Sequence, residues 1–172
     1  MELAHSCDIK VKSPLTNGAG RSRSHRSVLS AAHTLQEKGK IMAKMVHSMI
    51  RVLDEARSVQ FYASAFGLEV AGRFDFDDFA LIYLKNEESG FELELTVNQG
   101  RSEPYSLGDG YGHLAVTVAD LAAEHARMMQ AGLAPGDIKE MRHRGQPMAR
   151  FFFITDPDGY KTEVIEASGR FA

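Results

Sequence analysis

Two stretches of the chain repeat one another, and each carries a histidine and a glutamate at matching positions. His47 precedes Asp54 by seven residues, and His113 is followed by an aspartate at the same interval. Glu94 and Glu163 each follow a glycine by four residues, and the two His-to-Glu separations are 47 and 50 residues. We therefore expect two similar modules that are related by a pseudo-twofold axis. Such modules would gather two histidines and two glutamates into one divalent-metal site.

The composition is that of an ordinary water-soluble globular protein. The 172 residues suffice for one domain or for two small modules that share a core. A formal charge of −3 gives no reason to expect nucleic acid or an anionic membrane as a partner. No apolar run approaches the roughly 18 residues that cross a bilayer. The single cysteine, Cys7, excludes an internal disulfide, so a reducing compartment and hence the cytoplasm is expected.

The chain divides into a polar leader and a patterned domain. Residues 1–41 are rich in serine, glycine and arginine and show little hydrophobic periodicity, which is typical of a flexible N-terminal extension. Residues 42–172 carry the regular patterns. Within them, the two modules are expected at about residues 45–98 and 111–167.

Both modules show the same order of elements, one strand, one helix and three further strands. Asp54 and Asp120 are predicted to cap the two helices, and Gly67 to end the first. The predicted strands are residues 46–52, 68–74, 79–84, 91–97, 112–118, 138–142, 150–154 and 160–166. The predicted fold class is α+β, in which two tandem βαβββ modules form a cupped mixed sheet around a metal site with the helices outside.

Strand alternation supports the metal site. On the fourth strand, Glu94 shares a face with Thr96 and Asn98, and on the first strand His47 shares a face with Arg51. Imidazole and carboxylate donors suit Zn, Ni, Co, Fe or Mn, and four such ligands leave octahedral positions open for a substrate. A lone histidine in a strand is more often a core or surface residue than a ligand. The matched repeat of both residue types favours the ligand set.

Five segments resemble the vicinal-oxygen-chelate superfamily and, within it, bacterial glyoxalase I (lactoylglutathione lyase). The likeness spans about residues 45–165 and keeps the spacing of its segments. These segments are H-S-M-I-R-V at His47, F-Y at Phe61, E-L-T-V-N at Glu94, Y-G-H-L-A-V at Tyr111 and D-P-D-G-Y-K-T-E at Asp156.

The resemblance implies an isomerisation of the hemithioacetal that forms from methylglyoxal and glutathione, with S-lactoylglutathione as the product. It implies one divalent metal per site, nickel or cobalt in preference to zinc, held by His47, Glu94, His113 and Glu163. Glu163 is expected to be the base that moves the substrate proton, and Glu94 to take the mirrored catalytic role for the other epimer. A homodimer with active sites shared between its subunits is also implied.

Arg51 and Asn98 match family positions that hold the carboxylate end of glutathione. A guanidinium grips a carboxylate with two parallel hydrogen bonds, so the type of residue suits the role. The sequence departs from the family at the basic loop before the penultimate strand, which reads R-H-R-G-Q-P at residues 142–147. Either Arg142, Arg144 or Arg150 supplies the basic contact there, or the loop fits a different thiol or acyl group.

Four alternatives stay open at this point. One is a scaffold protein with a purely structural metal, which would show metal-dependent folding but no turnover. Another metalloenzyme of the superfamily, such as an epimerase, would use a similar ligand set. An extradiol dioxygenase would bind iron through two histidines and one carboxylate, so the second glutamate counts against it. A non-catalytic small-molecule binding protein of the superfamily would lack the metal ligands.

Overall fold

In a computed structural model, residues 43–172 are described, and they contain both repeats. The extension predicted for residues 1–41, together with Cys7, lies outside the described residues. The first module consists of β1 (His47–Arg51), α1 (Glu55–Phe66), β2 (Glu69–Asp75), β3 (Phe79–Lys85) and β4 (Glu92–Asn98). The second consists of β5 (Leu114–Val118), α2 (Leu121–Gln130), β6 (Lys139–His143), β7 (Gln146–Thr155) and β8 (Lys161–Glu166), followed by a 3₁₀ turn (Gly169–Phe171).

Each module folds into its own four-stranded mixed sheet. The strand order is β1-β4-β3-β2 in the first sheet and β5-β8-β7-β6 in the second. In both sheets the opening strand pairs in parallel with the last strand of its module, and the other pairs are antiparallel. The predicted α+β class and the two βαβββ modules are confirmed. The strands form two sheets, one for each module.

The helix signals act as the sequence predicts. The Asp54 carboxylate accepts a hydrogen bond from the Arg57 amide, and the Asp120 carboxylate accepts one from the Ala123 amide. Each carboxylate thereby satisfies an amide that the first helical turn leaves without a partner. Gly67 ends α1 in the left-handed conformation, at a φ of 62°.

One hydrophobic core joins the modules. Side chains from both sheets and both helices contribute to it, among them Leu84, Leu95, Leu121, Met128, Phe152 and Val164, which are almost fully buried. Burial of apolar surface on this scale is the main favourable term in folding. No helix within residues 43–172 is long and apolar enough to cross a membrane.

The turn between β7 and β8 fastens the second module to the first. The Asp158 carboxylate accepts hydrogen bonds from the Leu53 amide at 3.1 Å and from the Ser58 hydroxyl at 3.2 Å. The Asp156 carboxylate accepts one from the buried Tyr62 hydroxyl at 2.9 Å. Burial raises the pKa of Asp156, and hydrogen bonds from the Tyr160 amide and Tyr62 partly offset that effect. These two carboxylates therefore tie α1 to the β7–β8 turn of the second module.

Candidate metal centre

The first His–Glu pair lies on neighbouring parallel strands. His47 is the first residue of β1, and Glu94 of β4 lies beside Met49. The His47 Nε2 atom is 3.3 Å from the Glu94 Oε2 atom. The carboxylate is largely buried whereas the imidazole is 40% exposed. The pair thus forms a partly open polar site on one face of the first sheet.

The second pair repeats this geometry. His113 directly precedes β5, and Glu163 of β8 lies beside Ala115, so the offset between histidine and glutamate is the same as in the first module. The His113 Nε2 atom is 3.1 Å from the Glu163 Oε2 atom, and the imidazole is 42% exposed. The repeated spacing in the sequence therefore corresponds to a repeated structure.

The four residues do not form one cluster within a chain. Among residues 43–172, no group of three or more His, Cys, Asp or Glu side chains is placed to hold a metal ion. Within the described part of one chain the two pairs therefore stay apart, and the assignment of all four residues to one metal site stays a prediction. The physical reason is that the modules pack through α1, α2 and the backs of their sheets, which leaves the two pairs on separate faces.

Each pair nevertheless fits one half of a metal site. Two ligands bound at about 2.1 Å to one cation lie about 3.0–3.4 Å apart as the angle between them goes from a right angle to tetrahedral. The observed nitrogen–oxygen distances of 3.3 and 3.1 Å agree with this range. Neutral imidazole and carboxylate donors without thiolate suit a borderline divalent cation such as nickel, cobalt or zinc.

The surroundings of the two carboxylates differ. Tyr83 lies beside Glu94 in the sheet, and its ring packs edge-on against His47 at a centroid distance of 5.8 Å. The neighbouring Glu94 carboxylate raises the pKa of the Tyr83 phenol above its ordinary value. The Thr96 hydroxyl also donates to Glu94, to Oε1 at 3.4 Å.

Glu163 has apolar neighbours at the equivalent places. Phe153 lies beside it in the sheet, and Ile165 follows it by two residues. Phe151, Ile165 and Ala149 form a small hydrophobic cluster on this face, against which Phe153 and Phe171 pack. The first sheet therefore offers polar contacts around its His–Glu pair, and the second offers an apolar surface.

The two predicted substrate anchors lie on the polar face of the first sheet. Arg51 is the last residue of β1, and it lies beside Thr96, which follows Glu94 by two residues on β4. Asn98 ends β4, and its amide donates to the Tyr105 hydroxyl at 2.9 Å. Tyr105 lies in the polar link between the modules, where no motif marked it as part of a site.

The basic segment at residues 142–147 is a tight hairpin instead of an extended loop. Arg144 and Gly145 form the turn between β6 and β7, and both have positive φ angles, of 48° and 79°. The Arg142 guanidinium donates to the Gly145 carbonyl, and Arg150 pairs with Glu166 at 2.7 Å. Of the three arginines proposed for this contact, Arg144 alone takes no part in an ion pair or side-chain hydrogen bond among the described residues.

A cavity of about 600 Å³ runs along the free edge of β5. All five residues of that strand line it, and its other wall is largely apolar and comes from the first module, including Phe66, Leu68 and Phe91. An unpaired strand edge beside an apolar wall is a site at which another chain can bind.

The comparisons with known proteins agree on one family. Residues 44–164 match the model of the Glyoxalase/Bleomycin resistance protein/Dioxygenase superfamily. A probable lactoylglutathione lyase of Synechocystis sp. is 34% identical over 134 residues, which cover 73% of this chain and 97% of the relative. The lactoylglutathione lyase of Neisseria meningitidis serogroup A is 34% identical over 129 residues, which cover 72% of this chain and 90% of the relative.

A solved structure carries the same fold and a related sequence. The trypanothione-dependent glyoxalase I of Leishmania major superimposes with a TM-score of 0.59 at 33% identity. The match covers 73% of this chain and 87% of the Leishmania chain. The chain therefore belongs to the Glyoxalase/Bleomycin resistance protein/Dioxygenase superfamily, and within it to the glyoxalase I enzymes that its motifs predicted.

Proposed function

We propose that the protein is a metal-dependent glyoxalase I, which converts the hemithioacetal of methylglyoxal and glutathione into S-lactoylglutathione. The observation that carries the proposal is the pair of equivalent His–Glu sites, at Nε2–Oε2 distances of 3.3 and 3.1 Å. The identity of 34% to lactoylglutathione lyases supports the choice of reaction. The lone cysteine and the glutathione substrate are both consistent with action in the cytoplasm.

A complete site requires two copies of the chain. Each module offers two ligands, and the described part of one chain holds its two pairs apart. In a twofold homodimer, the first module of one subunit can face the second module of its partner. Each of two identical sites would then contain His47 and Glu94 from one subunit and His113 and Glu163 from the other.

The free strand edges support such a dimer. The backbones of Val46 and Val52 hydrogen-bond to β4, and the backbone of Val118 bonds to the chain just after β8. The backbone N–H and C=O groups of the alternate residues, such as Met49 and Ala115, therefore point the other way, toward the free edge of each sheet. Met45 and Met49 are exposed beside the β1 edge, at 79% and 39%. An apolar, unpaired edge of this kind is expected to be covered in the assembled protein.

The ligand pairs also explain the chemistry. A divalent cation bound by them would stabilise the negative charge that develops on the two neighbouring oxygens of the substrate. The Glu163 carboxylate takes the proton from the thiol-bearing carbon and returns it to the neighbouring carbonyl carbon. The first carbon ends as a thioester and the second as an alcohol, so no external oxidant or reductant is needed. Glu94 holds the equivalent position in the other half-site, facing the opposite epimer.

The two sheet faces suit the two ends of this substrate. Arg51 and Asn98 lie on the polar face and are proposed to hold a carboxylate of glutathione. The apolar cluster around Phe151 and Ile165 lies on the second sheet, on the face that carries Glu163, and would receive the aldehyde substituent. Because the Leishmania major relative is described as trypanothione-dependent, the identity of the thiol needs a direct test.

The decisive experiment measures turnover after removal of metal. Chelator-stripped protein should lose activity on the methylglyoxal–glutathione hemithioacetal, because the charge on the substrate oxygens is then unopposed. Nickel or cobalt should restore it, and zinc and iron are added in separate samples. A parallel series uses the trypanothione hemithioacetal. Stoichiometric metal binding without turnover of either hemithioacetal by any of the four ions would reject the proposed reaction.

Arg51→Ala is expected to raise the KM for the glutathione adduct by about 10–100-fold, with little change in kcat. The range corresponds to the loss of a charge-assisted hydrogen bond, which is worth about 1.5–3 kcal/mol. Arg51→Lys should lie between the two, because lysine keeps the charge and loses the bidentate grip. Steady-state kinetics on the purified variants would measure both constants. An unchanged KM would place the anchor elsewhere.

A further inference from the structure

The cavity beside β5 extends behind the second sheet, on the side away from the metal pair. Thr162 and Glu163 are consecutive residues of β8, so their side chains point to opposite faces of the sheet. Thr162 lines the cavity, whereas Glu163 contacts His113 on the other face. The volume of about 600 Å³ lies within the range of about 300–1,000 Å³ that is usual for small-molecule sites. The cavity is therefore a concavity separate from the candidate metal centre.

One hydroxyl group inside this cavity has no partner in the protein. Thr162 is 2% exposed, and its Oγ1 atom is the only buried side-chain nitrogen or oxygen atom without a hydrogen-bond partner among residues 43–172. Its neighbours in the sheet are Leu114 on β5, Ile154 on β7 and Val164 on β8, and all three have hydrocarbon side chains. A buried hydroxyl without a partner destabilises the folded protein. A lone water would satisfy it poorly, because a buried water typically needs two to four polar partners.

The charged and amide groups that line the cavity are largely engaged with one another. The Arg127 guanidinium donates to Glu124 and to two carbonyl groups in the last turn of α1. The Asn86 amide donates to a third carbonyl of α1 and accepts from the Ser89 backbone. The third charged lining residue, Glu88, is exposed and would repel an anion. Among the described residues that line the cavity, none offers an unpaired positive group, and burying a charge without a partner is costly.

We propose that this cavity binds a neutral small molecule with a hydrocarbon body and one carbonyl or hydroxyl group, which forms a hydrogen bond with Thr162. The hydrocarbon body would contact the apolar wall from the first module, which includes Phe66, Leu68 and Phe91. A threonine hydroxyl both donates and accepts, so it suits either polar group. Since the cavity and the metal pair lie on opposite faces of β8, the proposal does not depend on the proposed reaction.

Three probes that share a phenyl group and a short chain test the class of ligand. Benzylacetone carries a carbonyl, butylbenzene carries no polar group, and phenylbutyrate carries a negative charge. Each is titrated into the full-length protein with isotope-labelled methyl groups, and NMR gives both the dissociation constant and the place of binding. The methyl signals of Leu68 and Val116, which line the cavity, should shift with benzylacetone. Phenylbutyrate should bind at least about 10-fold more weakly than benzylacetone, because its charge has no partner in the cavity.

Thr162→Val exchanges the hydroxyl for a methyl group of similar size. It should weaken the binding of benzylacetone by about 10-fold, which corresponds to about 1.4 kcal/mol. Butylbenzene should bind at least as tightly as it does to the wild type, because it loses no hydrogen bond. Thr162→Ser keeps the hydroxyl and should retain the affinity for benzylacetone. Thr155→Val is the matched control, since it makes the same exchange at an exposed position of β7 outside the cavity.

Leu68→Trp fills the cavity from the first module and should abolish the binding of both neutral probes, with thermal unfolding as the check on the fold. Equal losses of affinity for benzylacetone and butylbenzene in Thr162→Val would overturn the role of Thr162. Tight binding of phenylbutyrate, or methyl shifts confined to the face of Glu163, would also contradict the proposal. If neither neutral probe binds the wild type up to its solubility limit, the cavity is not a small-molecule site, and a strand of a second chain on the β5 edge becomes its occupant.

Discussion

Glu163→Gln is expected to lower kcat for the hemithioacetal by about 10²–10⁴-fold, the usual contribution of a positioned acid–base group. The amide keeps the shape of the side chain and one neutral oxygen ligand, but it cannot accept the substrate proton. The fold should be unaffected, because Glu163 contacts His113 and an apolar surface and lies outside the main core. Turnover, metal content and thermal unfolding are measured on the same preparation.

Glu166→Gln is the matched control. Glu166 is the last residue of the same strand and pairs with Arg150 at 2.7 Å. The Glu166→Gln substitution therefore removes a carboxylate from β8 without removing one from the site. Its kcat should stay within about twofold, since exposed ion pairs contribute little. Near-normal turnover by Glu163→Gln would reject Glu163 as the base while leaving the metal site in place.

Mixing two inactive variants should restore activity if the sites are shared between subunits. His47→Ala and His113→Ala each damage both sites of a homodimer, and each alone should be nearly inactive. A heterodimer of the two has one site with both substitutions and one site with none. Random exchange of subunits therefore recovers about one quarter of wild-type activity.

The control for this experiment is the double variant His47→Ala/His113→Ala, mixed with either single variant. No dimer from these mixtures contains an intact site, so no activity should return. Co-refolding or co-expression ensures that subunits exchange, and native mass spectrometry counts the heterodimers. Heterodimers without activity would contradict the shared site, because a site made within one chain is damaged in both subunits.

Local structure followed from local signals. Asp54, Asp120 and Gly67 marked the helix ends because capping depends on the residue itself and on its nearest neighbours. The strand faces followed in the same way, since alternation alone determined that Glu94, Thr96 and Asn98 point together. Membership in the glyoxalase I family followed from motifs whose spacing the fold preserves.

The relation between the modules did not follow from the sequence. A repeat with matched ligands is compatible with a metal site inside one chain and equally with a metal site shared by two chains. Within one chain, the contacts between the modules include those of Asp156 and Asp158, whose carboxylates accept hydrogen bonds from α1 across sequence separations of 94 and 100 residues. The sequence marked these aspartates only as a turn, because no local rule connects a turn to a distant helix.

Two smaller misses have similar causes. The hairpin at Arg144 and Gly145 lacks the Asn-Gly or Asp-Gly pair that usually marks a two-residue turn, so an open loop was expected. No motif marked Tyr83, and its position beside Glu94 depends on the register of β3 against β4. A register is a property of a pair of strands, so one strand alone does not reveal it.

The contacts of Asp158 also set the order in which the polypeptide can complete its fold. Ser58 and Asp158 are 100 residues apart, and contacts of such long range form late and slow folding. At about 5–20 residues per second, a ribosome takes ~5–20 s to synthesise that interval. During this time the Tyr62 side of α1 lacks the surface that buries it in the finished protein. Until the second module has emerged, this surface of the nascent first module stays exposed to water.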